Sequence, residues 1–122
     1  MMKQRILVVG DDMGLRATLA RWLLAAGHSV ELAESAKHAR EVLAREKIGL
    51  AIVAPERLDG DFARELRAAV DRLILVTESA RDSNLGRHDE GADGYLVRPL
   101  REDDVLARIS HAASLLVVPP SR

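Results

Sequence analysis

The sequence predicts an α/β fold: an open, doubly wound parallel sheet of five strands in the order 2-1-3-4-5, with helices on both faces. Three observations predict it. Short, β-branched-rich apolar runs alternate with helical stripes five times within 122 residues. The runs are continuously apolar, as strands covered on both faces require. The length suits one domain with a real core, wound once in each direction.

The first strand is Ile6–Val9 ("ILVV"). Leu15, Leu19, Trp22, Leu23 and Ala26 then recur at helical spacing and form an inner stripe, and Gly27 stands at the C′ position that ends the helix. Ser29–Leu32 ("SVEL") is a short second strand. Ser35 is placed to cap a second helix whose inner stripe is Ala36, Ala39, Val42 and Leu43. The third strand is Leu50–Val53, after which Asp59 or Asp61 opens a helix carrying Phe62, Leu66 and Ala69. The fourth strand is Leu73–Val76. Between Thr77 and Gly91 the pattern weakens, with Leu85 the one large apolar side chain, and a short or loosely packed fourth helix is expected. Gly94–Val97 ("GYLV") is the fifth strand. Beyond Pro99 a last helix carries Val105, Leu106, Ile109, Ala112, Ala113 and Leu116. Two prolines in "VVPPSR" end it, so residues 1–117 read as the domain and 118–122 as a tail or the start of a linker.

Composition excludes several classes. With 48% apolar and 30% charged residues and a net charge of −1, the surface exerts no strong pull on nucleic acid or membrane. One Phe, one Trp and one Tyr without a basic stripe argue against direct nucleic-acid binding. No cysteine means no disulfide framework and no thiolate metal site. His28, His38, His88 and His111 share no ligand spacing. No apolar run approaches the ~20 residues of a membrane span, and no signal-type stretch follows "MMKQR". The expectation is a soluble, cytoplasmic domain with no cofactor.

In such sheets ligands sit beyond the carboxyl ends of the strands, where the winding reverses between strands one and three. Those ends read "GDD" after Val9, "APE" after Val53, Thr77, and "VRP" in the later segment. A phosphate cradle for a flavin would want a Ser/Thr/Gly-rich loop after strand one, and "GDDMG" offers carboxylates instead. A dinucleotide site would want G-x-G-x-x-G there, which "GDDMGL" lacks.

The stretches "RILVVGDD", "LVTES" and "GADGYLVRPL", in this order, resemble the receiver domain of two-component response regulators over roughly Arg5 to Leu116. The resemblance implies a flavodoxin-like (βα)5 fold. It also implies a chemistry: two acids after strand one and an aspartate ending strand three hold magnesium, and that aspartate takes a phosphoryl group from a phosphohistidine. A hydroxyl after strand four and a lysine before a cis-proline hold the phosphoryl oxygens. An aromatic on strand five relays the change to the surface of the fourth helix, fifth strand and fifth helix.

Carried over without gaps, Gly10 falls at the first acid and Asp11 at the second, with Asp12 beyond the pair. Ala54 falls at the phosphoacceptor, Thr77 at the hydroxyl, Tyr95 at the aromatic, Arg98 at the lysine and Pro99 at the proline. A methyl group has no lone pair, so Ala54 cannot be a nucleophile. Arg98 and Asp11 can neutralise one another directly, with no metal required. A one-residue bulge at Gly10 would instead slide Asp11 and Asp12 into both acid positions as weak metal ligands, and Glu56 could stand in for the missing carboxylate. Thr77 and Tyr95 read either as a remnant of the switch or as a capping hydroxyl and a half-buried edge aromatic. Charges at Arg87, Arg101, Asp104 and Arg108 flank strand five, either as a solvated face or as a partner or dimer surface.

The reading is a pseudo-receiver: a non-enzymatic signalling module that acts by protein–protein contact, with an output domain or as a homodimer through the helix 4–strand 5–helix 5 face. The alternative is a conventional phosphorylated response regulator that uses Asp11, Asp12 and Glu56 with magnesium.

Overall fold

The chain is described by a computed structural model covering residues 4–10, 12–54, 60–77 and 94–116. Its elements run β1 (Arg5–Val9), α1 (Met13–Ala25), β2 (Ser29–Ala33), α2 (Ala36–Arg45), β3 (Leu50–Val53), α3 (Gly60–Ala69), β4 (Arg72–Thr77), β5 (Gly94–Val97) and a C-terminal helix, α4 (Glu102–Leu116). The strands form one sheet in the order β2-β1-β3-β4-β5, and every neighbouring pair is parallel. This is the doubly wound order expected of the sequence. The fourth helix expected between Thr77 and Gly91, and the tail from 118 to 122, lie outside the described residues.

Strand side chains point alternately to opposite faces, so the continuous apolar runs feed two cores. On one face Ile6, Val8, Leu50, Ile52, Ile74, Val76 and Leu96 meet Leu15, Leu19 and Leu23 of α1 and Val105 and Ile109 of α4. On the other, Leu7, Val9, Ala51, Val53, Leu73 and Leu75 meet Ala39 and Val42 of α2 and Phe62 and Leu66 of α3. Burying both faces of a strand such as Leu50–Val53 is what makes it read as unbroken apolar sequence.

Helix ends follow local chemistry. Ser35 caps α2, its Oγ accepting from the His38 N–H at 3.1 Å. Gly27 takes φ +97° just past α1, in the left-handed region that glycine enters without strain.

Several expectations change in detail. β2 is partly exposed, with Leu32 at 36% exposure, because a strand at the sheet edge has one neighbour only. Trp22 and Leu106 are half-buried, packing beside the core rather than inside it. Ala69 is exposed, and the next residue, Val70, fills the core position. Asp61 lies within the first turn of α3 rather than capping it, and Asp59 lies outside the described residues.

Candidate functional site

The carboxyl ends of β1 and β3 meet at the switch point of the sheet. Val9 is in register with Val53, and the Ala54 N–H donates to the Val9 carbonyl at 3.0 Å. The Gly10 N–H donates to the Ala33 carbonyl, also at 3.0 Å. The ladder therefore runs in regular register to Val9, and Asp11, on which the bulge alternative turns, lies outside the described residues. A Cβ built on Gly10 would lie 3.5 Å from the Ala54 Cβ and 3.5 Å from Leu15 Cδ2. Ala54 is 1% exposed and belongs to the apolar cluster beneath α1. Where the two strands meet, the side chains are a hydrogen and a buried methyl.

Asp12 is an exposed N-cap. Its Oδ1 accepts from the Gly14 N–H at 2.8 Å and the Leu15 N–H at 3.3 Å, which satisfies two donors of the first turn of α1. Arg16, one turn on, donates from Nη1 to the Gly10 carbonyl at 2.5 Å. The reading of the residues missed both roles. The signal for the first was present, since Asp directly before a helical stripe is a cap sequence. Nothing in the sequence announces the second.

On the far side of the cleft, Thr77 ends β4 in register with Val97. Arg98 and Pro99 follow, joined by a cis peptide bond. Arg98 is half-buried and lines an open groove of about 660 Å³ with Asp12, Thr18, Trp22, Pro99 and Leu100. The fold thus brings Asp12 and Arg98 to one groove, and Leu15, which also lines it, lies 3.5 Å from a Cβ built on Gly10. Asp11 and Glu56, and with them the Arg98–Asp11 pair, lie outside the described residues, as does Arg87.

A divalent cation of the magnesium type asks for several hard oxygen donors. Where β1 and β3 end, Gly10 and Ala54 carry no side-chain oxygen, and the Asp12 carboxylate already caps α1. Among the described residues no cluster of three His, Cys, Asp or Glu could hold a metal. The described donor set does not fit the ion.

A second depression, of about 380 Å³, lies between β5 and α4 and is lined by Tyr95, Arg101, Asp104, Arg108 and His111 among others. Tyr95 is half-buried at the sheet edge, packing against the core on the α2–α3 side. The Arg108 stem lies where a Gly94 side chain would point, 3.5 Å from the Cβ position. Arg101 donates to the Asp103 carboxylate at 3.4 Å. That hydrogen bond holds the Asp103 carboxyl below its usual range. No described helix is long and apolar enough to cross a membrane.

No protein-family model matches the chain. It is 39% identical over 115 residues to the response regulator MprA of Mycolicibacterium vanbaalenii, covering 88% of this chain and 49% of that protein. It is 41% identical over 112 residues to response regulator MprA of Mycobacterium leprae, covering 86% and 49%. The chain thus spans about half the length of the curated relatives it matches. Among solved structures, the chemotaxis response regulator CheY4 of Vibrio cholerae superposes with a TM-score of 0.80 at 20% identity, over 91% of this chain and 99% of that one.

Proposed function

We propose that this chain, a response-regulator receiver (CheY-like) domain by sequence similarity and fold, is a pseudo-receiver that signals without accepting a phosphoryl group. One observation carries the reading: the buried methyl of Ala54 ends β3 against Gly10, whose missing side chain leaves no second donor there. Phosphoryl transfer to a receiver needs a carboxylate oxygen to attack phosphorus, and a methyl group cannot supply the electron pair. Without acids from Gly10 and Ala54, the charge that would bind magnesium is reduced to Asp11 and Asp12. Asp12 serves α1, and Arg98 is the natural counter-ion for Asp11. Gly10, Asp11, Asp12, Ala54, Glu56, Thr77, Arg98 and Pro99 are then a vestigial site.

A domain that cannot be switched by phosphorylation still has surfaces. Residues 1–117 act as a non-enzymatic unit whose output is contact with a protein partner or an attached output domain. In this reading the depression lined by Tyr95, Arg101, Asp104 and Arg108 is the surface offered to that partner or a second copy, with Arg87 assigned to it from the sequence alone. Input is then partner binding or concentration.

The test is a titration with magnesium and beryllofluoride, followed by amide NMR shifts. The account expects no saturable change near Gly10 and Ala54. Saturable one-to-one binding would overturn it and restore a conventional regulator using Asp11, Asp12 and Glu56.

A further inference from the structure

One row of α1 side chains meets the segment that follows β5. Gly14, Thr18 and Trp22 recur at spacings of four, which sets them one above the other along the helix. Across from them stand Arg98, Pro99 and Leu100, and the open groove between measures about 660 Å³. That volume falls in the range of small-molecule sites. Gly14 to Trp22 is a run of eight residues, about 12 Å of helix. The groove opens beside the carboxyl end of β5, the end of a doubly wound sheet at which ligands are held.

The groove is charged at one end and apolar along its length. Arg98 follows β5 and Asp12 follows β1, and the strands are parallel, so both charges stand at the carboxyl edge of the sheet. Trp22 lies further along α1. It and Leu100 pack against the core with part of each side chain left open. The half-buried Arg98 guanidinium is a planar fork of N–H donors, enough to take a carboxylate beside another partner. Asp12 spends Oδ1 on the helix cap but keeps its charge. A ligand with a second negative charge, such as a phosphate monoester, meets repulsion there.

We propose that this groove binds a small amphipathic carboxylate, with its head on Arg98 and its apolar body along Trp22 and Leu100. The site stands on the groove alone. It goes beyond the reading above by adding a chemical input that needs no phosphoryl transfer.

The probe is hydrocinnamate, titrated against the whole protein beside the alcohol and the amine that share its phenylpropyl body. Trp22 is the single tryptophan, so its indole N–H gives one NMR signal to follow. Hydrocinnamate should shift that signal and reach half-saturation below about 1 mM, as a ligand of this size allows. The alcohol should bind about fivefold more weakly, and the amine more weakly still. In Arg98→Gln the carboxylate should fall to the alcohol's affinity while the alcohol's own is unchanged. The three probes on the unsubstituted protein decide the matter even where that variant fails to fold. Equal affinity for carboxylate and alcohol, a preference for the amine, displacement of hydrocinnamate by equimolar phenyl phosphate, or no saturation at millimolar hydrocinnamate would each overturn the proposal. A phosphoryl adduct alongside intact hydrocinnamate binding would defeat the pseudo-receiver reading and leave the ligand site standing.

Discussion

Gly10 and Ala54 face one another where β1 and β3 end, with a Cβ built on Gly10 only 3.5 Å from the Ala54 methyl. Their proximity joins two residues that lie 44 positions apart in sequence. A carboxylate at one place alone would be a lone charge beside an apolar cluster; carboxylates at both would repel and recruit a cation. With a carboxylate at neither, the joint is neutral and packed.

Ala54→Asp alone should therefore not create a phosphoacceptor. The new carboxyl enters a site that is 1% exposed, so unfolding free energy in urea should fall by about 2–3 kcal/mol. Phosphodonor treatment should leave the variant's mass unchanged.

The double variant Gly10→Asp/Ala54→Asp should behave differently. A Cβ at Gly10 meets its neighbours at ordinary van der Waals distance, and Gly10 does not have a positive φ. Two facing carboxylates should bind magnesium at roughly millimolar concentration, measured as a rise in melting temperature with added ion that the unmodified protein does not show.

Asp12→Ala should remove the cap of α1 and cost about 1 kcal/mol. Asp12→Asn keeps a side-chain oxygen and should restore most of that loss, with urea unfolding as the readout. The Asn rescue separates a capping role from a metal-ligand role, because metal binding needs the charge.

His28 should make stability pH-dependent. Its Nδ1 accepts from the Gln4 N–H at 3.0 Å, and burial pushes the imidazole below its ordinary range. The folded state thus favours the neutral ring. The stabilisation is fully present above the unfolded value of about 6.5 and is lost as pH falls through it toward the lower folded value. Unfolding midpoints should drop between pH 7 and 5. In His28→Leu that dependence should flatten, and at pH 7 the unpaired Gln4 N–H should cost about 1–3 kcal/mol.

Much of the fold is legible in the chain because its strongest signals are local. "LAIV" can be unbroken only in a strand covered on both faces, and Ser35 announces the helix it caps. What was not legible depends on neighbours distant in sequence. The exposure of Leu32 follows from β2 being an edge strand, which no pattern within "SVEL" records. Core membership passes from Ala69 to Val70 through the way α3 meets the sheet. Asp12 shows the opposite difficulty: its cap signal was local and readable, but an acid next to Asp11 also fits a paired-carboxylate reading. At the strand ends, Ala54 could be read directly as a side chain without a donor, whereas its closeness to Gly10 needed the β1–β3 register.

The most direct measurement is intact-protein mass spectrometry after incubation with acetyl phosphate and magnesium. The account predicts the unmodified mass at every time point. A stoichiometric gain of one phosphoryl group, mapped to any carboxylate at the strand ends, would contradict it.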